Sequence, residues 1–102
     1  MSENILSNKE LEEVLLAEME ATVGNKSEII VYNDDYNTFD WVIQCFMEVC
    51  NHAYDQSEQL SMLIHFKGKA SVKSGTYESL KPMKDALVDR GLSAVIETYK
   101  DA

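Results

Sequence analysis

EIIVYNDDYNTFDWVIQCFMEVCN, residues 28–51, is the stretch that decides the fold class of this chain. Residues 29–32 are β-branched or aromatic, which favours a strand, and the turn-forming residues 33–35 end that strand. Over residues 39–50, apolar side chains recur at the spacing of one helix face. The stretch therefore predicts a strand, a polar turn and an amphipathic helix in direct succession.

Four more elements are predicted after this stretch. They are a helix over residues 55–67 closed by Gly68, a strand over residues 69–73, a helix that ends at Gly91 and a strand over residues 92–98. Thr76 is a candidate cap for the third helix, but Pro82 would then lie well inside that helix. A proline fits best in the first turn of a helix, so the alternative is a late start, near Leu80 or Lys81. The order βααβαβ predicts a compact α+β domain over residues 28–102, with its helices packed on one small antiparallel or mixed sheet.

The beginning of the chain has a different character. Residues 1–28 hold seven Glu and only two Lys. Their one apolar stripe is too short for a stable isolated helix; it consists of Leu11, Val14, Leu15 and Met19. We expect residues 1–27 to be a flexible acidic arm.

The charge of the chain limits its partners. Nine Lys and Arg residues stand against 18 Asp and Glu residues, a net charge of −9. This field repels phosphate backbones, so no nucleic-acid partner is expected and the partners should be proteins, peptides or cations.

The longest apolar runs are too short to cross a membrane, and the first 20 residues carry six Glu instead of a basic leader. We therefore expect a soluble, cytoplasmic protein with no membrane contact.

Patterns that carry chemistry are sparse. On a helix, Cys45 and Cys50 point in different directions, which keeps them from forming a disulfide. The Cys and His residues lack zinc-ligand spacing, and the glycines form neither a dinucleotide fingerprint nor a phosphate loop, so neither a metal nor a cofactor is expected. No serine lies in a nucleophile elbow. These patterns predict a binding protein and not an enzyme.

One polar cluster has a specific chemical use. Asn33, Asp34 and Asp35 offer several acceptor oxygens in one tight turn, and such groups attract ammonium ions. A neutral His65 facing this turn would add a further acceptor. The flanking apolar residues either line a pocket beside the cluster or belong to the core; they are Phe39, Val42, Ile64 and Leu92.

Five segments together resemble a known family. They are Asn33-Asp34-Asp35-Tyr36, Trp41-Val42-Ile43, Gln59-Leu60, His65-Phe66-Lys67-Gly68-Lys69 and Leu92-Ser93-Ala94-Val95-Ile96-Glu97. Over residues 29–97 the chain resembles the ClpS family, adaptors that bind N-degrons and deliver them to the Clp unfoldase and protease. N-degrons are proteins whose first residue is Leu, Phe, Tyr or Trp. The resemblance also implies the βααβαβ fold behind a flexible N-terminal arm.

The resemblance implies roles for individual residues. The α-amino group of the degron would be held, directly or through water, by Asn33, Asp34, Asp35 and His65. The first side chain of the degron would enter a pocket lined or flanked by Tyr32, Asn37, Phe39, Val42, Ser61, Ile64 and Leu92. A surface with Glu78, Lys81 and Lys84 would dock on the N-terminal domain of a ClpA- or ClpC-type unfoldase.

The chain also departs from the family pattern near the pocket. Members usually continue their turn with Thr-Pro-Met-Glu, whereas this chain has Asn37-Thr38-Phe39-Asp40, so Phe39 replaces a methionine. Ser61 stands where many members carry a large thioether, which would deepen or polarise the pocket and favour Trp or Tyr over Leu.

Two other classes of function stay open on the residues alone. One is an acidic protein-interaction domain that modulates the unfoldase without recognising N-termini. The other is a small hydrolase that uses Asp34, Asp35 and His65, which would need a nucleophile or a metal-ligand set beside them.

Overall fold

The computed structural model describes residues 7–22 and 25–100. Within these ranges the elements are α1 (Asn8–Thr22), β1 (Asn25–Tyr32), α2 (Phe39–Val49), α3 (Tyr54–Lys67), β2 (Lys69–Gly75), α4 (Tyr77–Asp89) and β3 (Ser93–Lys100). After α1 the order is βααβαβ, which confirms the predicted α+β fold. No helix in these ranges combines the length and apolarity that crossing a bilayer requires.

The first strand is longer than predicted. β1 begins at Asn25, so residues 25–27 of the predicted arm pair within the sheet. Ser27 is buried, and its hydroxyl lies 2.9 Å from Oγ1 of Thr98 on β3. Residues 1–6 and 23–24 of the predicted arm lie outside the described residues, and the flexibility of the arm stays a prediction.

The sheet has three antiparallel strands with β1 in the centre. β3 pairs with β1 in unbroken register. The register with β2 shifts by one residue between Ile29 and Ile30, which leaves Val72 as the extra residue of a β-bulge. The carbonyl oxygen of Val72 lies 2.6 Å from Nε2 of His52, so the bulge is attached to the segment before α3.

The core lies between the sheet and helices α2 to α4. α3 packs on β2, α4 packs on β1 and β3, and α2 packs on α3 and α4. The largest fully buried side chains of this core are Phe46, Ile29, Leu80, Leu87 and Val31. Burying each such side chain stabilises the fold by about 1.5–3 kcal/mol.

The two cysteines belong to the core. Cys45 and Cys50 are buried and unbridged, as their predicted helix positions require. Burial raises the pKa of both thiols, because it removes the thiolate from water. Both side chains therefore act as small apolar residues.

Of the two predicted starts of the third helix, the one at the Thr76 cap is confirmed and the late one is wrong. α4 begins at Tyr77, and Pro82 lies inside it. Thr76 caps the helix, because its Oγ1 accepts a hydrogen bond of 3.1 Å from the Ser79 N–H. Leu80 is 1% exposed, so the first turn also has core packing. The cap and this burial together offset the backbone hydrogen bond that Pro82 cannot donate.

Gly68 ends α3 and determines where the chain goes next. Its φ is 90°, a left-handed conformation, and its N–H donates to the carbonyl of Ile64 over 2.9 Å. Its own carbonyl accepts a 2.9 Å hydrogen bond from the Asn33 N–H, directly after β1. The last turn of α3 is thereby held against the end of the central strand.

We predict that Gly68→Ala lowers the free energy of unfolding by about 1 kcal/mol. Among the described residues other than its chain neighbours, no heavy atom lies within 4 Å of the added Cβ, so the loss comes from backbone strain and not from a clash. Urea titration of both proteins measures it. Gly68→Asn should lose less, because asparagine tolerates the left-handed region better than alanine. Equal stability of the alanine variant and the parent protein would contradict this account.

We also predict that Ser57→Ala raises the free energy of unfolding, by about 1 kcal/mol. Ser57 is fully buried on α3, and no described residue forms a hydrogen bond with its Oγ. Alanine removes this unsatisfied oxygen and has a higher helix propensity. Thermal and urea unfolding should both show the gain, and a loss of stability would show that the hydroxyl has a partner.

Candidate functional site

A cleft of about 410 Å³ opens where the segment after β1 meets α2 and α3. Its lining residues are Asn33, Asp34, Asp35, Asn37, Phe39, Val42, Ser61, Ile64 and His65. A second cavity of about 20 Å³ shares several of these residues and adds Val31, Tyr32 and Leu92. The cleft thus contains polar acceptors and apolar side chains together.

The structure brings together the residues predicted for the amino group and for the side-chain pocket, in the cleft or in the small adjoining cavity. The four acceptor residues, Asn33, Asp34, Asp35 and His65, all line the cleft. Tyr32 and Leu92 line only the small adjoining cavity, and Leu92 is 4% exposed. Leu92 therefore supports the cleft from the core side.

Asp34 organises the acceptor segment. Its Oδ1 accepts hydrogen bonds from the N–H groups of Tyr36 and Asn37, each 2.8 Å long. Its Oδ2 accepts a third, also 2.8 Å, from Nδ2 of Asn37. Each carboxylate oxygen accepts about two hydrogen bonds, so Oδ2 can accept one more, from a ligand.

The charge of Asp34 is stabilised by these bonds. Partial burial raises its pKa, but hydrogen bonds from Asn37 and Tyr36 outweigh burial and leave the pKa below its ordinary value of 3.8. The carboxylate is therefore fully ionised at neutral pH. A fixed negative charge lies at the mouth of the cleft.

Asn37 connects this segment to a distant part of the chain. Besides its bond to Asp34, its Nδ2 donates to the carbonyl of Gly91 over 2.9 Å. The neighbouring carbonyl, of Arg90, accepts from Nε1 of Trp41 over 3.1 Å. The family resemblance implies a place for Asn37 at the pocket, but it does not predict this connection to the turn after α4. The only sequence signal is Gly91 itself, whose helix-ending position exposes nearby carbonyls.

The remaining acceptors are free to bind a ligand. Asn33, Asp35 and His65 are exposed, and no hydrogen bond within the described ranges occupies their side chains. The imidazole of His65 makes an edge contact with the Phe66 ring, with a centroid distance of 5.1 Å. Such a cluster of acceptors suits a group with several N–H donors and a positive charge.

The apolar half of the cleft comes from two helices. α2 contributes Phe39 and Val42, and α3 contributes Ser61 and Ile64. Phe39 is 41% exposed, whereas Ser61 and Ile64 are buried. The arrangement suits a bulky apolar side chain placed beside the cationic group.

The predicted docking residues lie on α4, away from this lining. Lys81 and Lys84 both pair with Asp85, at 3.0 and 2.8 Å. Glu78 and Lys81 line a different groove, of about 350 Å³, between α4 and α1.

Across the described residues, no three His, Cys, Asp or Glu side chains lie close enough together to hold a metal ion.

Comparisons with known proteins show which family this chain is similar to. The family model described as ATP-dependent Clp protease adaptor protein ClpS matches residues 24–95. The chain is similar to the ATP-dependent Clp protease adapter protein ClpS of Thermosynechococcus vestitus, with 35% identity over 66 residues that cover 64% of this chain and 70% of that protein. The ClpS of Streptomyces coelicolor is 32% identical over 68 residues, which cover 67% of this chain and 71% of that protein.

A solved structure has the same fold. It is Agrobacterium tumefaciens ClpS2 bound to L-phenylalaninamide, with a TM-score of 0.63 and 18% identity over 76% of this chain and 98% of that one. Members of the matched family are adaptors of the Clp protease and not enzymes. Because the family model matches well over half of the chain, this protein belongs to the ClpS family of Clp protease adaptors.

Proposed function

We propose that the cleft binds the N-terminal residue of proteins that begin with Leu, Phe, Tyr or Trp, and that the adaptor delivers them to a Clp unfoldase and its protease. The observation that carries this proposal is the single cleft in which four acceptor residues adjoin an apolar half. The proposed location is the cytoplasm, and neither nucleic acid nor membrane is a proposed partner.

The acceptor half suits a free α-amino group. That group has an unperturbed pKa of about 7.7–8.0, so it is largely protonated at neutral pH and presents three N–H donors. Oδ2 of Asp34 and the side chains of Asn33, Asp35 and His65 supply the acceptors, directly or through water. Hydrogen bonds that involve a charged group contribute about 1.5–3 kcal/mol each.

The apolar half suits the first side chain. Phe39, Val42 and Ile64 surround it with hydrocarbon, and burying a large apolar side chain contributes about 1.5–3 kcal/mol. A lysine side chain would leave its ammonium group buried without a partner, so the cleft rejects it. The L-phenylalaninamide bound by Agrobacterium tumefaciens ClpS2 has both required features, a free α-amino group and an aromatic side chain.

The proposed docking surface for the unfoldase is the one that carries Glu78, Lys81 and Lys84 on α4. These side chains do not line the cleft, so a degron and the N-terminal domain of a ClpA- or ClpC-type unfoldase bind at the same time in this proposal.

We predict that peptides beginning with Leu, Phe, Tyr or Trp bind with micromolar or better affinity, and that N-acetylation reduces binding at least 100-fold, roughly the loss of two charged hydrogen bonds. Isothermal titration with free and acetylated forms of each peptide measures both. Peptides that begin with Val and Met serve as controls and should bind more weakly.

Equal binding of the free and acetylated peptides would contradict the proposed function. Binding of an unfoldase N-terminal domain without any affinity for the peptides would instead favour an acidic interaction domain that does not recognise N-termini.

We predict that Asn37→Ala weakens peptide binding by roughly tenfold, because it removes the two side-chain bonds of Asn37, one to Asp34 Oδ2 and one to the Gly91 carbonyl. Titration with one Phe peptide measures the loss. Tyr36→Ala is the matched control, since the Tyr36 side chain is 94% exposed and its backbone N–H is kept. An unchanged affinity in the Asn37 variant would contradict the role of this connection.

The same variant has a defined pH dependence. Asp34 has a lowered pKa in the folded protein, so its hydrogen bonds stabilise the fold above the ordinary value of 3.8 and stop doing so as pH falls through the lowered pKa. The stability difference between the parent protein and Asn37→Ala should therefore be present at pH 7 and shrink below about pH 4.

A further inference from the structure

Ser61 is a polar residue in the otherwise apolar half of the cleft. Its neighbours in that half are Phe39, Val42 and Ile64, which carry no polar side-chain atom. Ser61 is 3% exposed, so its hydroxyl is largely withdrawn from bulk water. A polar group that is buried in a binding cleft affects which ligands fit there.

The hydroxyl proton of Ser61 is already used in a hydrogen bond within α3. Ser61 Oγ donates a 2.9 Å hydrogen bond to the backbone carbonyl of Ser57, one helical turn earlier. The oxygen therefore has no proton left to donate, but its lone pairs remain available. Towards a ligand, Ser61 acts as a hydrogen-bond acceptor only.

The position of Ser61 matches the far end of a bound side chain. His65, among the acceptors proposed for the α-amino group, follows Ser61 by four residues of α3, about 6 Å along the helix axis. A side chain that starts at His65 and lies along α3 towards its N-terminus therefore brings its tip to Ser61. A phenol or an indole ring spans a distance of this order, and each has one donor at its outer part.

We propose that Ser61 is a specificity-determining residue, which accepts a hydrogen bond from the donor at the tip of a first-residue tyrosine or tryptophan and so favours these over phenylalanine. This inference rests on the proposed function and names its substrate class more narrowly. Discrimination comes from one hydrogen bond, because phenylalanine fills the same space as tyrosine but leaves the Ser61 acceptor unpaired.

Two peptides that differ only in a first-residue Tyr or Phe test the inference directly. The parent protein should bind the Tyr peptide about 3- to 10-fold more tightly, the range expected of one buried hydrogen bond. In Ser61→Ala the Tyr preference should disappear or reverse, while affinity for the Phe peptide changes less than twofold. A Trp peptide, measured against the same Phe peptide, shows whether the indole N–H uses the same acceptor.

Ser57→Ala is the matched control. It removes a buried serine hydroxyl from the same helix but keeps the backbone carbonyl to which Ser61 donates. Its ratio of Tyr to Phe affinity should equal that of the parent protein. Thermal unfolding of both variants establishes that they are folded before the affinities are compared.

The outcomes separate this inference from the proposed function. If no free peptide binds, or if acetylated peptides bind equally well, the proposed function fails. If all free peptides bind, but neither the Tyr nor the Trp preference depends on Ser61, only the role of Ser61 is overturned. A Tyr or Trp preference that is lost in Ser61→Ala and kept in Ser57→Ala supports it.

Discussion

The hydrogen bond from the Asn33 N–H to the Gly68 carbonyl, 2.9 Å long, is the constraint on which the cleft depends. It joins the first residue after β1 to the residue that ends α3. It forms because Gly68 adopts a φ of 90°, which turns the chain from the helix directly into β2. His65, in the last turn of α3, is therefore held beside Asn33, although 31 residues separate them in the sequence.

A second constraint determines the shape of the acceptor segment between β1 and α2. Asp34 accepts three hydrogen bonds from Tyr36 and Asn37, and Asn37 is in turn bonded to the Gly91 carbonyl. The segment is thus fixed before any ligand arrives, so binding does not bear the full cost of ordering it. The same bonds lower the pKa of Asp34, which keeps the acceptor segment charged at neutral pH.

The sequence predicted what depends on local pattern. The β-branched run, the helical period after residue 39 and Gly68 are local signals, and the elements that they predict are present. The start of α4 was ambiguous in the sequence, because Thr76 favours an early start and Pro82 a late one. The structure has the early start, because the cap at Thr76 and the burial of Leu80 together outweigh one missing hydrogen bond at Pro82. The bond between Asn37 and Gly91 joins residues 54 positions apart, and no local pattern contains such a contact.

In the proposed function, two half-sites in one cleft would allow a small surface to distinguish the start of a protein from its interior. Association costs at least about 4 kcal/mol, and often much more, in lost freedom of motion. A buried apolar side chain returns about 1.5–3 kcal/mol, and so does each charged hydrogen bond. An internal segment offers an apolar side chain without a charged α-amino group. A lysine side chain carries its charge at its end, where the cleft requires an uncharged group. In this proposal, only a chain terminus with a bulky first residue fills both halves, and such recognition would need neither a long interface nor any chemical step.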